Sequence, residues 1–261
     1  MVKPASSLYS ICHRDAQRRI IGAIDRGCHR AESRVSVFFR ADDIGIPSSG
    51  FQLLIDTFIR QRMPLCLAAV PSWVTDRRFD QLCRLTGRNS SQWCWHQHGR
   101  VHRNFEPHGK KQEFGPYRSK EVIFASLQQG KWRLEEIMGN EFQPFFTPPW
   151  NRCSTATMEA LTELHFSALS RNRNAVPETI DALPDFQVSV DLHTRKETSP
   201  EQGFDNLLTE LEESITSGQC GIMIHHQRMN KNSFKILEQL LVAINNRGQL
   251  TPVLFGDMLK S

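Results

Sequence analysis

Short runs rich in β-branched and aromatic residues alternate with amphipathic helical patterns along nearly the whole chain, and this alternation constrains its fold most. Candidate strands are "VSVFF" (35–39), "LCLAAV" (65–70), "QWCW" (92–95), "QPFFT" (143–147), "FSALS" (166–170), "FQVSV" (186–190), "GIMI" (221–224) and "PVLF" (252–255). The clearest helix begins at Ser49, where Phe51, Leu54, Ile55, Phe58 and Ile59 line one face and Ser49 with Gln52 reads as a capping box. Phe204, Leu207, Leu208, Leu211 and Ile215 repeat that spacing, as do Phe234, Leu237, Leu241 and Ile244. A further helix is expected over about 13–30, ahead of a core from about 35 to 256. Parallel strands need such crossovers, and seven or eight β–α units with no break in composition predict an α/β domain over 1–261. The sheet is expected to be parallel and closed into a barrel, with an open doubly wound sheet as the alternative. "RADDIG" follows the first strand where a dinucleotide fold would carry a Gly-rich fingerprint.

Composition narrows the class. With 261 residues, 39% hydrophobic and 23% charged, the chain can bury a sizeable core without staples. The net charge of +4 is scattered, and His108–Lys111 is the nearest thing to a basic patch, so no nucleic-acid partner is expected. No apolar run has the length of a membrane span. The seven cysteines are odd in number and form no CxxC pair, and the opening "MVKPASSLYSICHRDAQRRI" lacks the apolar middle of an export signal. Both point to reduced thiols and a cytoplasmic location. Nothing in the pattern sets an oligomeric state.

The polar residues are less evenly spread. "WCWHQHGRVHRNFEPHG" (93–109) holds four of the ten histidines, and neutral imidazole is the commonest protein ligand for a transition metal. Five candidate strands end on polar or special residues: Arg40-Ala41-Asp42-Asp43, His96-Gln97-His98, "TPPWN" (147–151), Asp191-Leu192-His193 and His225-His226. In a parallel barrel those ends share the face on which active sites are built. Each also has a plain reading. Asp42-Asp43 suits a turn or helix cap, "TPPWN" a stiff turn, and His225-His226 one core and one exposed histidine. On a helical turn, His98 and His102 would present both rings on one side; if the strand continues, His96 and His98 share a face instead, so spacing leaves the pair open. The segment 96–118 is the longest irregular stretch, and loops of that length in compact domains tend to be functional or disordered.

The order Asp-Asp, His-x-x-x-His, Pro-Pro-aromatic, Asp, His, spanning about residues 36–226, resembles the polysaccharide deacetylase family, which includes chitin, chitooligosaccharide and peptidoglycan N-deacetylases. The resemblance implies a distorted (β/α) barrel. It also implies Asp42 as general base, and Asp43, His98 and His102 as ligands of a divalent metal, zinc first, with Co2+, Ni2+ or Mn2+ as alternatives. Trp150 would offer a backbone N–H to the oxyanion, His225 would be the general acid, and Asp191 would orient it. Two positions depart from the pattern: Thr147 stands where the family has an arginine that steadies the base, and Gly99 where it often has Ser or Thr. Arg40 or Arg152 is the candidate replacement for the arginine. The implied reaction is hydrolysis of an N-acetyl group on an amino sugar or glycoconjugate precursor. The alternatives are hydrolysis of another non-peptide C–N bond at the same metal, or a degenerate glycan- or protein-binding member. A cytoplasmic enzyme would meet small substrates, and Arg103, Lys110, Lys111 and Arg118 on the loop suggest an anionic one.

Overall fold

The computed structural model describes residues 5–88 and 90–260; residues 1–4, which open the segment read for an export signal, lie outside them. In chain order the elements are α1 (Ala16–Arg30), β1 (Val35–Ile44), α2 (Ser49–Gln61), β2 (Leu65–Ala69), α3 (Asp76–Thr86), β3 (Trp93–His98), α4 (Lys120–Met138) and β4 (Phe142–Thr147). There follow α5 (Thr155–Glu163), β5 (Ala168–Leu169), β6 (Val190–Asp191), α6 (Pro200–Thr216), β7 (Gln219–Ile224), α7 (Lys231–Asn245), β8 (Leu250–Pro252) and α8 (Phe255–Met258). Six of the eight expected strands overlap an observed one by two residues or more, whereas "FQVSV" and "PVLF" meet β6 and β8 at a single residue each, and Phe255 begins α8. β1 and β3 run on to Ile44 and His98, taking in polar residues that β-propensity alone would leave outside. α2 does begin at Ser49, but its cap is Ser48, whose extended backbone lets its hydroxyl accept the Phe51 N–H at 3.1 Å. Ile59, placed on the buried stripe by its spacing, is 42% exposed.

Two compact units make up the chain. In the first (1–41, 48–65 and 189–261), β1 pairs in parallel with β7 and β8, and β7 with β6. α1 packs on α6 and α7, and α2 on α7. Phe39 meets Phe58 edge-on at 5.3 Å between β1 and α2. In the second (42–47 and 66–188), β3, β4 and β5 pair in parallel, with α4 against α5 and α3. Its core gathers Phe114, Leu127, Phe146 and Leu161, with Phe114 and Phe146 edge-on at 5.5 Å. The buried Arg171–Asp185 pair, 2.8 Å apart, is also hydrogen-bonded to backbone, as buried charges require.

The hydrogen-bonded strand order is β5-β4-β3-β2-β1-β7-β6, with β8 also on β1. Helices link the successive parallel strands except between β5 and β6, where residues 170–189 form no helix, and this is the connectivity of a distorted (β/α) barrel. Among the described residues no helix is long and apolar enough to cross a membrane. All seven cysteines are free thiols and six are buried. Burial pushes Cys153 and Cys220 up to about 12, which makes them packing residues and not nucleophiles.

Candidate active site

Asp42 and Asp43 are both buried near the end of β1, and Asp43 has a left-handed backbone (φ 63°). Its Oδ1 lies 3.3 Å from His98 Nε2 and 3.0 Å from His102 Nε2. The three residues offer ligand atoms all within 4.8 Å of one another. His98 is the last residue of β3, and its Nδ1 lies 2.9 Å from the Thr147 carbonyl on the neighbouring strand. A neutral ring that donates Nδ1–H to a carbonyl presents Nε2 as a lone pair, the usual arrangement behind a metal-ligating histidine. Burial disfavours the His98 cation, but the Asp43 bond and the charges of Asp42 and Asp43 outweigh it and hold its pKa above the ordinary value. Two imidazoles drawn onto a buried carboxylate form an N2O donor set that a divalent ion such as zinc fits.

His102 reaches the cluster by a route the spacing did not suggest. Residues 99–102 are not helical: Gly99 has φ 60° and His102 φ 54°. The strand end and an irregular turn bring the rings together, and the buried Glu113 carboxylate accepts the N–H groups of Arg100, Val101 and His102. Glu113 has no counterpart in the sequence reading, because a carboxylate in a charged loop looks solvated and nothing ties it to a histidine eleven positions earlier. The His102 ring neighbours both Trp73 and Trp150, at centroid distances of 5.5 and 4.8 Å. Trp150 and Asn151 both have left-handed backbones (φ 58° and 57°) after Pro148-Pro149, a conformation that costs on the order of 1–3 kcal/mol per residue.

The other histidines have different surroundings. His96 Nε2 lies 3.0 Å from the Thr147 hydroxyl, His108 is exposed, and His226 packs edge-on against Phe51. Thr147, at the place of the motif arginine, thus serves both His96 and His98. Of the two candidate arginines, Arg152 donates to the Lys111 carbonyl, while Arg40 is fully buried with its guanidinium 3.2 Å from the Met223 sulfur. Arg40 lies two residues before Asp42 on β1 and so shares its strand face.

In the first unit, Asp191 ends β6 and closes a turn. Its Oδ1 accepts the N–H groups of His193 and Thr194 at 2.9 and 2.8 Å, and its Oδ2 accepts the Thr194 hydroxyl. His225 follows β7 and donates its backbone N–H to His193 Nδ1 at 3.1 Å. Burial, then the neighbouring His225, His226 and Arg228, keep His193 neutral well below the ordinary histidine range.

The loop after His102 is well packed. Asn104 Oδ1 accepts the N–H groups of Glu106 and Gln112, and Arg118 donates to the Glu113 carbonyl and the Ser126 hydroxyl while stacking on Phe105. Arg118 is therefore engaged inward, whereas Arg103, Lys110 and Lys111 are exposed.

No family model and no curated protein matches the chain. Solved structures do. A Mycobacterium smegmatis protein assigned to the polysaccharide deacetylases matches with a TM-score of 0.65 at 13% identity, over 88% of this chain and 90% of its own. A family 4 acetyl xylan esterase from Clostridium thermocellum, in complex with a cobalt ion, matches at TM-score 0.57 and 11% identity, over 86% and 90%. The chain has the polysaccharide deacetylase fold. A carbohydrate esterase family 4 pseudoenzyme from Bacillus anthracis shares that fold too, at TM-score 0.53 and 11% identity, over 83% of this chain and 62% of its own. The motif resemblance and the fold thus point to one family of structures, and the chemistry has to be argued from the site.

Proposed function

We propose that the protein is a metal-dependent hydrolase that removes an N-acetyl group from an amino sugar or glycan precursor. The observation that carries this reading is the convergence of Asp43, His98 and His102, with two imidazole nitrogens turned toward one buried carboxylate oxygen. A divalent ion held there would supply Lewis acidity, polarising an amide carbonyl and acidifying water. Asp42 is the proposed base, with Arg40 on the same strand face to steady its charge. The Trp150 backbone N–H, held by its left-handed turn, is the proposed donor to the developing oxyanion. His225 is the proposed acid. An amine leaves readily only once protonated, so this group carries the second half of the reaction. Asp191 remains the proposed orienter of His225, acting through the turn it closes beneath His193. A small, anionic N-acetylhexosamine derivative is the proposed substrate, with Lys110 and Lys111 as the exposed cations to meet it.

Acetate release tests the reading. Small N-acetylated sugars and their phosphorylated or nucleotide-linked forms should be compared with chitin oligomers and peptidoglycan, with and without added Zn2+ or Co2+. Metal-dependent release from the small anionic compounds, reduced by Lys110→Ala with Lys111→Ala, is the expected result. Preference for long polymers, unaffected by the lysine changes, refutes the substrate class. Metal binding with no release from any member favours the degenerate binding protein or another C–N bond.

A further inference from the structure

Glu113 is a charged side chain in a place that burial makes costly. It is 1% exposed, and burial raises its pKa against the opposing pull of the three N–H groups it accepts. Those bonds come from consecutive residues: Oε1 accepts Arg100 N–H at 3.1 Å and Val101 N–H at 2.8 Å, and Oε2 accepts His102 N–H at 3.0 Å. Successive N–H groups aimed at one anion make a nest, and the left-handed residues Gly99 and His102 bracket this one.

Two further observations show that the arrangement is built in. A Cβ on Gly99 would collide with Glu113 Oε2 and lie 2.6 Å from Pro149 Cγ, and its left-handed backbone (φ 60°) already disfavours a side chain, so glycine, Glu113 and Pro149 fit together at this turn. This accounts for the departure from Ser or Thr at this place in the motif. Glu113 is also anchored from behind. Its carbonyl accepts Arg118, and the next carbonyl, of Phe114, accepts the Ser154 N–H and the Thr157 hydroxyl at the start of α5. Phe114 itself sits in the core of the second unit. A rigid path therefore runs from α5 through Phe114 and Glu113 to the backbone of residues 100–102.

We propose that Glu113 is the positioning residue of the metal centre: its carboxylate, by gathering the N–H groups of residues 100–102, holds the His102 imidazole where it meets His98 and Asp43. The inference rests on the reading of those three residues as ligands. Outer groups that fix a ligand's orientation change metal affinity about 10–100-fold when lost. A staple that only stabilised the loop would change stability and leave affinity alone.

The test is titration of metal-free protein with Co2+, following visible absorption and heat. Wild type should bind about one ion. Glu113→Gln, which places an amide against three donors, should bind about tenfold or more weakly while thermal unfolding stays cooperative. In a His102→Ala background, which loses its ion on purification but is titrated here to Co2+ concentrations high enough to fill the weak site left by Asp43 and His98, the same change should add nothing, because its effect passes through His102. Should Glu113→Gln fail to fold, Glu113→Asp retains the charge with a shorter reach and is judged by the same criterion. Unchanged affinity in the folded Glu113 variant, or an equal further loss in the His102→Ala background, overturns the inference. A wild type that binds no ion overturns the metal reading itself and this inference with it.

Discussion

At the ends of β1 and β3, Asp43, His98 and His102 turn their side chains toward one another; at the end of β6, Asp191 and His193 accept backbone N–H groups, and Asp191 also takes the Thr194 hydroxyl. The residue types are the same and the uses differ. In the first cluster, left-handed backbones at Asp43 and His102, with Trp150 and Asn151 nearby in the same unit, bring two imidazoles onto one buried carboxylate oxygen. In the second, the carboxylate caps a turn and a neutral imidazole accepts the N–H of His225, so these groups stabilise the chain as they stand. The comparison teaches that a polar strand end is not in itself a ligand. What marks one is side-chain nitrogen and oxygen facing its own kind across a strained turn.

The sharpest way to break this contrast is to remove a ring. His98→Ala and His102→Ala should each strip the metal and abolish turnover, read by elemental analysis and acetate release. Metal that survives both changes and is lost instead with His96→Ala or His108→Ala would reverse the assignment. Asp42→Asn separates the two carboxylates: metal should remain while turnover falls about a hundredfold or more, as for loss of a general base. Equal metal loss in Asp42→Asn and Asp43→Asn would defeat that division.

The smallest effect belongs to the second cluster. His193 is held neutral below its ordinary value of 6.5, so on acidification the unfolded chain takes up a proton that the folded one refuses. Its contribution is neutral above that value, and stability falls as pH drops from there toward the lower folded pKa. His193→Gln should flatten this part of the stability–pH curve and leave metal content unchanged, measured by denaturant unfolding from pH 7 to 5. An unaltered slope would mean that His193 takes up its proton alike in the folded and unfolded chain, and the contrast between the clusters would lose its basis.

Much of this architecture was legible in the chain. Apolar periodicity located the strands and the helical stripes because burial acts on every residue of an element. Strand ends were harder to read. His96–His98 belong to β3 through their pairing with β4, a tertiary contact that no local propensity reports. For the same reason the His98–His102 spacing suggested a helical turn where a glycine-led irregular turn stands. Glu113 could not be read at all, since its role depends on a fold-back of the loop onto residues 100–102. Gly99 was the one visible trace, a departure that its left-handed backbone and Pro149 require as much as Glu113 does. Arg40 was legible as a candidate, and its burial and its place on the strand that carries Asp42 are what separate it from Arg152, which donates to the Lys111 carbonyl.

The two indoles next to His102 carry a consequence of a different kind. Trp73 and Trp150 are two of the five tryptophans, and both rings lie within 5.5 Å of this imidazole, centre to centre. An open-shell ion such as Co2+ or Ni2+ bound through His102 would drain their excited states, whereas Zn2+ has no low-lying levels with which to do so. A metal bound there would thus have its own optical gauge of occupancy, dimming for some ions and staying bright for zinc, so that competition between them could be followed in unlabelled solution.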